Sequence, residues 1–155
     1  MKNILKSNKT KWIITFTSLV LVVCSIIGIG VRLNKVDKTT TLSPTAYSIG
    51  TIDETGKIIE SKKALYSDLK TTESLEIDVD EDASITYKVV FYDEDENFVL
   101  VSEEYSDDFN NENLPATAKY FRLVIIPNQV DGEDVTLNIL NMSKYTSMLT
   151  VTYAR

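Results

Sequence analysis

Twenty consecutive residues, Trp12 to Val31, carry no charge. At the ~1.5 Å rise per residue of a helix, such a run covers the ~30 Å hydrocarbon core of a bilayer. Lys2, Lys6, Lys9 and Lys11 precede it, and every acidic residue follows it. The run predicts a transmembrane signal-anchor helix over 12–31, a basic cytoplasmic tail over 1–11, and an extracytoplasmic domain beyond. Basic residues are retained on the cytoplasmic side. Arg32, Lys35 and Lys38 oppose the four leading lysines only in part, so the expected arrangement is a single-pass protein of the cell membrane with its N-terminus inside. A cleaved signal peptide is the main rival, but the run is long for one and no Ala-x-Ala-like site closes it. Leu21-Val22-Val23-Cys24 resembles a lipobox loosely, since Val23 stands where a small residue belongs and apolar residues continue past Cys24.

The net charge of −7 hides a segregation. After the run, 12 Lys and Arg face all 23 Asp and Glu, which leaves that part at −11. A surface this acidic repels phosphate backbones, so no nucleic-acid partner is expected. Histidine is absent. That excludes a Ser-His-Asp triad, His-ligated zinc and an imidazole pH switch. Cys24 is the sole cysteine and lies inside the apolar run, so the domain has neither a disulfide nor a thiolate nucleophile. Paired carboxylates are common in so acidic a chain, but the small size and the missing histidine point away from an enzyme.

Residues 32–45 read as a linker, because Thr39-Thr40-Thr41 and Ser43-Pro44-Thr45 are polar and include a helix breaker. Over 46–155 the hydrophobic period is two. Leu75, Ile77 and Val79 alternate with Glu76, Asp78 and Asp80; Ile85, Tyr87, Val89 and Phe91 with Thr86, Lys88, Val90 and Tyr92. Phe121, Leu123 and Ile125 behave alike, as do Leu137 and Ile139, and then Tyr145 through Tyr153. Segments near Tyr47–Ile52 and Phe98–Val101 bring the expected strands to about seven. Asp93 to Asn97 reads as a hairpin turn, Asp107 to Pro115 as a longer loop, and Pro127 as a strand end. Half-buried strands without a helical period predict an all-β, antiparallel, jelly-roll-like β-sandwich.

Ile49-Gly50-Thr51-Ile52-Asp53 with Gly56-Lys57, then the strand Tyr87-x-Val89-x-Phe91-Tyr92-Asp93, then Leu114-Pro115-Ala116-Thr117-Ala118-Lys119-Tyr120-Phe121-Arg122-Leu123 resemble the jelly-roll sandwiches of the carbohydrate-binding or galactose-binding-like type found in bacterial surface and phage proteins. The resemblance covers 46 to about 127 and implies a displayed binding module, with no catalytic residues carried over. Sugar-binding members of that type often present tryptophan platforms, whereas Trp12 is the only tryptophan here.

Tyr120 and Arg122 share one strand face, and Lys88 and Tyr92 a face of another. On a concave sheet these four are the candidate ligand contacts, stacking on and hydrogen-bonding a polyol. The candidate ligands of a structural Ca²⁺ are Asp78, Asp80 and Asp82 in one cluster and Asp131 and Asp134 in a second, since Ca²⁺ prefers hard oxygen donors. Solvated turn carboxylates are the plainer reading. Asp93-x-Asp95-x-Asn97 with Glu104 fits four positions of a calcium loop, but Phe98 replaces the required glycine. The expectation is a membrane-anchored surface protein displaying a binding module for an extracellular glycan or protein. The alternative is an accessory subunit of a membrane complex, docking through outward apolar positions such as Val90 and Val124.

Overall fold

In a computed structural model, the structure describes residues 38–110, 112 and 114–154. The run 12–31 and the tail lie outside them. Among the described residues no helix is long and apolar enough to cross a membrane. Eleven strands are present there: β1 (Thr39–Thr41), β2 (Tyr47–Ile49), β3 (Thr51–Ile52), β4 (Ile58–Ile59), β5 (Leu65–Ser67), β6 (Lys70–Thr71), β7 (Glu76–Val79), β8 (Ile85–Tyr92), β9 (Phe98–Val101), β10 (Tyr120–Pro127) and β11 (Leu149–Ala154). One short helix, α1 (Met142–Thr146), precedes β11.

The strands form two main antiparallel sheets. One has the order β1-β11-β7; the other runs β2-β5-β10-β8-β9, with β6 also on β10. The central pair β8–β10 keeps register over eight residues, from Tyr120 opposite Tyr92 to Pro127 opposite Ile85. Alternation makes the odd-numbered residues of these strands face inward. Tyr87, Phe91, Phe121, Leu123 and Leu65 of the larger sheet share one core with Leu75, Ile77, Leu149 and Val151 of the smaller. Two sheets closing on a single core is a sandwich-like solution for strands with one apolar face.

The even-numbered face of the larger sheet is also covered. Val90, Tyr92 and Val124 form a second core with Ile52 and Ala64. The β3–β4 hairpin, paired Thr51 to Ile59 and Ile52 to Ile58, supplies the cover. A continuous run such as Val89-Val90-Phe91-Tyr92 marks a strand buried on both faces. Gly56 makes the hairpin possible. Its φ of +80° lies in the left-handed region, and a Cβ there would sit 2.4 Å from Cδ2 of Phe98.

Four segments depart from the sequence expectation. Residues 39–45, read as linker, belong to the folded unit. Thr39–Thr41 pair with Thr152–Ala154, Leu42 is buried, and Ser43 caps a 3-10 turn over Pro44–Ala46. An edge strand that gives the core one leucine leaves no apolar period to read. The expected strand at Leu137 and Ile139 is a loop, with Leu137 in the core and Ile139 in solvent. The last strand begins at Leu149, because Tyr145 and Thr146 close α1. Gly50 also splits the expected 47–52 strand into β2 and β3.

Candidate functional site

The β8–β10 register brings all four candidate ligand contacts to one sheet face. Tyr120 lies opposite Tyr92, Arg122 opposite Val90, and Val124 opposite Lys88. That face is the covered one, so it is not an open platform. The Tyr92 side chain is buried and its hydroxyl donates to the Gly56 carbonyl at 3.2 Å. Burial pushes this hydroxyl above its ordinary pKa, against the opposing pull of Arg122 beside it. Arg122 donates from Nη1 to the Ser67 carbonyl at 2.9 Å. Lys88 lies 3.5 Å from Glu104, whose other oxygen accepts from Thr86 Oγ1 at 2.5 Å. The four side chains thus surround the second core; Tyr120 lines one cavity and Lys88 a separate one beside β9. Val90 and Val124, the apolar positions expected to dock a neighbour, are 0% and 2% exposed. They are already occupied by the hairpin.

The calcium candidates do not converge. Asp78, Asp80, Asp82, Asp131 and Asp134 are exposed. Asp134 pairs with Lys63 and accepts from Gln129 at 2.9 Å, and these contacts hold its carboxyl below the usual range, Lys63 most strongly. Among the described residues no group of three or more carboxylates is placed to hold a metal. The calcium-loop pattern at Asp93 is turn chemistry. Its Oδ1 accepts from the amides of Asp95 and Asn97 at 2.9 and 2.8 Å, an Asx-type turn.

Two further surface features lie at opposite ends of β10. At the Tyr120 end lies a cleft of about 650 Å³ between the β6–β7 turn and the start of β10. Leu114, Ala118 and Tyr120 give it an apolar wall, and Glu73, Glu94 and Lys119 its charges.

At the Pro127 end a tight loop holds Ile139 and Leu140 out in solvent, 83% and 93% exposed. Two asparagines brace it. Asn138 Oδ1 accepts from the Leu140 amide at 2.9 Å, and Asn141 Oδ1 from the Asn138 amide at 2.8 Å. Asn141 Nδ2 donates to the Thr136 carbonyl at 3.0 Å. Leu137 anchors the base, its amide donating to the Lys62 carbonyl at 2.7 Å. The pair overhangs an apolar groove of about 430 Å³ that includes Ile49 and Lys62. Along the sequence no Asp or Glu follows Asp134, while Lys144 does. Lys144 Nζ stands 5.3 Å from the Tyr145 ring centroid.

Reading 137–139 by alternation missed this tip. The available signal was Asn138-Ile139-Leu140-Asn141, two turn-forming asparagines around two aliphatics.

Comparison with models of known protein families, with curated proteins and with solved structures finds no match in any of the three.

Proposed function

We propose that this chain is a membrane-anchored surface protein whose β-sandwich is a binding module, and that the module binds protein through the Ile139–Leu140 end. One observation carries the reading. Two large aliphatic side chains are held almost wholly in water by a loop with four side-chain-to-backbone braces. Leaving them there forgoes about 1.5–3 kcal/mol of burial each. Rigid aliphatics on a protruding loop present contact area at little further entropy cost on binding. The charge-free run at 12–31 supports display at a membrane. A partner resident in a membrane complex makes the chain an accessory subunit of it, through the same loop.

A second reading, glycan binding of the jelly-roll carbohydrate-binding type, is favoured by the cleft beside Tyr120, where Thr71, Ser74 and two carboxylates converge around an aromatic ring. The test is retention of the chain on envelope fractions, one stripped of protein and one stripped of polysaccharide. Protein docking predicts retention only where protein remains, and its loss in the Ile139→Asp/Leu140→Asp variant. Retention on polysaccharide that survives this variant and is lost in Tyr120→Ala selects the glycan reading.

A further inference from the structure

The tip and the cleft are complementary features of one molecule. The tip is convex and aliphatic, with Lys62 in its groove and Lys144 close behind it in the sequence. The cleft is concave and apolar-walled, with Glu73 and Glu94 outnumbering Lys119. Its volume is that of an ordinary ligand pocket.

Their placement excludes contact within one copy. Tyr120 opens β10 and Pro127 closes it, a span of about 25 Å at ordinary strand rise. The tip belongs to the far end, since Ile49 in its groove pairs with Leu65, which pairs with Ile125. Two complementary surfaces at opposite ends of a molecule make a heterologous contact, which propagates head to tail.

We infer that the partner of the Ile139–Leu140 tip is a second copy of this chain, and that the tip seats in the cleft between Glu73, Glu94 and Tyr120 of that copy. This inference rests on the protein-docking reading above and names the partner. In the contact the two aliphatics leave water against Leu114, Ala118 and Tyr120. Lys62 beside the tip approaches the carboxylates of the cleft. The result is a polar chain of copies rather than a closed dimer.

Analytical ultracentrifugation of the full chain in detergent micelles, with 38–155 in parallel, tests the contact. Wild type associates progressively with concentration. Ile139→Asp/Leu140→Asp removes the tip, Glu73→Lys/Glu94→Lys reverses the cleft, and each change is at the surface. Each variant alone loses association by at least about tenfold, the equivalent of one buried aliphatic. An equimolar mixture of the two regains it and stops at a heterodimer, because only one intact tip meets one intact cleft.

Strictly monomeric wild type, or a tip variant that still associates, overturns the head-to-tail contact. Tip-dependent retention on envelope protein in such a monomer leaves the docking reading standing with another partner. Tip-dependent flotation of 38–155 with phosphatidylethanolamine–phosphatidylglycerol vesicles overturns both.

Discussion

The Tyr92 hydroxyl donates to the Gly56 carbonyl at 3.2 Å, and this bond ties the β3–β4 hairpin to the sheet it covers. Around it the second core closes, with Val90 and Val124 almost fully buried. Tyr92→Phe keeps the ring and loses the bond, so it costs about 1 kcal/mol. Gly56→Ala is worse, because it places a Cβ 2.4 Å from Phe98 at a φ of +80°. Left-handed strain and overpacking together cost about 2–4 kcal/mol. Denaturant melts of both variants check the order, and equal losses contradict the hairpin's role.

Ser67 repairs a break in the larger sheet. Between the β5 and β6 pairings to β10, its hydroxyl accepts from the Leu123 amide at 2.8 Å and donates to the Asp68 carbonyl at 2.9 Å. Ser67 is fully buried. Ser67→Ala leaves a buried amide without a partner and costs about 1–3 kcal/mol. Amide exchange at Leu123 accelerates in the variant; unchanged exchange contradicts the assignment.

The turns at Asp53 and Asp93 share one design. Gly56 and Glu96 occupy equivalent places, each donating its amide to the carbonyl of the Asp three residues earlier. Their φ values are 80° and 61°. Glu96 therefore carries left-handed strain that Gly56 does not. Glu96→Gly stabilises by up to about 1 kcal/mol, the relief of strain exceeding the added freedom of the unfolded chain. A lower melting temperature contradicts this.

Both Asp side chains in these turns have pKa values held below the ordinary carboxylate value, Asp53 chiefly by the Thr55 hydroxyl and Asp93 chiefly by the Asn97 amide. A depressed folded-state pKa means the unfolded chain binds more protons in the titration window. The contribution is complete above the unfolded value of ~3.9 and is lost as pH falls through the lower folded values. Asp53→Asn and Asp93→Asn flatten the acid limb of stability below about pH 4. A limb unchanged in both variants contradicts it.

Alternation made β7, β8 and β10 legible, since their odd-numbered residues point into the main core. It predicted the shared faces of Tyr92, Tyr120, Arg122 and Lys88 as well. The cover on that face was not legible, because β3 and β4 are two residues each and too short to show a period. Residues 39–42 escaped because only Leu42 faces the core. At 137–139 a chance alternation of Leu137, Asn138 and Ile139 imitated a strand, while asparagine bonds to the backbone decided the conformation. The tip is a product of those bonds, which hydrophobic patterning does not report.

Photo-crosslinking from position 140 of the full chain, in intact cells, tests the central claim most directly. The account predicts a discrete protein adduct that disappears when Ile139→Asp is added, with a probe at exposed Thr150 on the small sheet as the silent control. Adducts to lipid alone, or protein adducts equally strong from position 150, would contradict it.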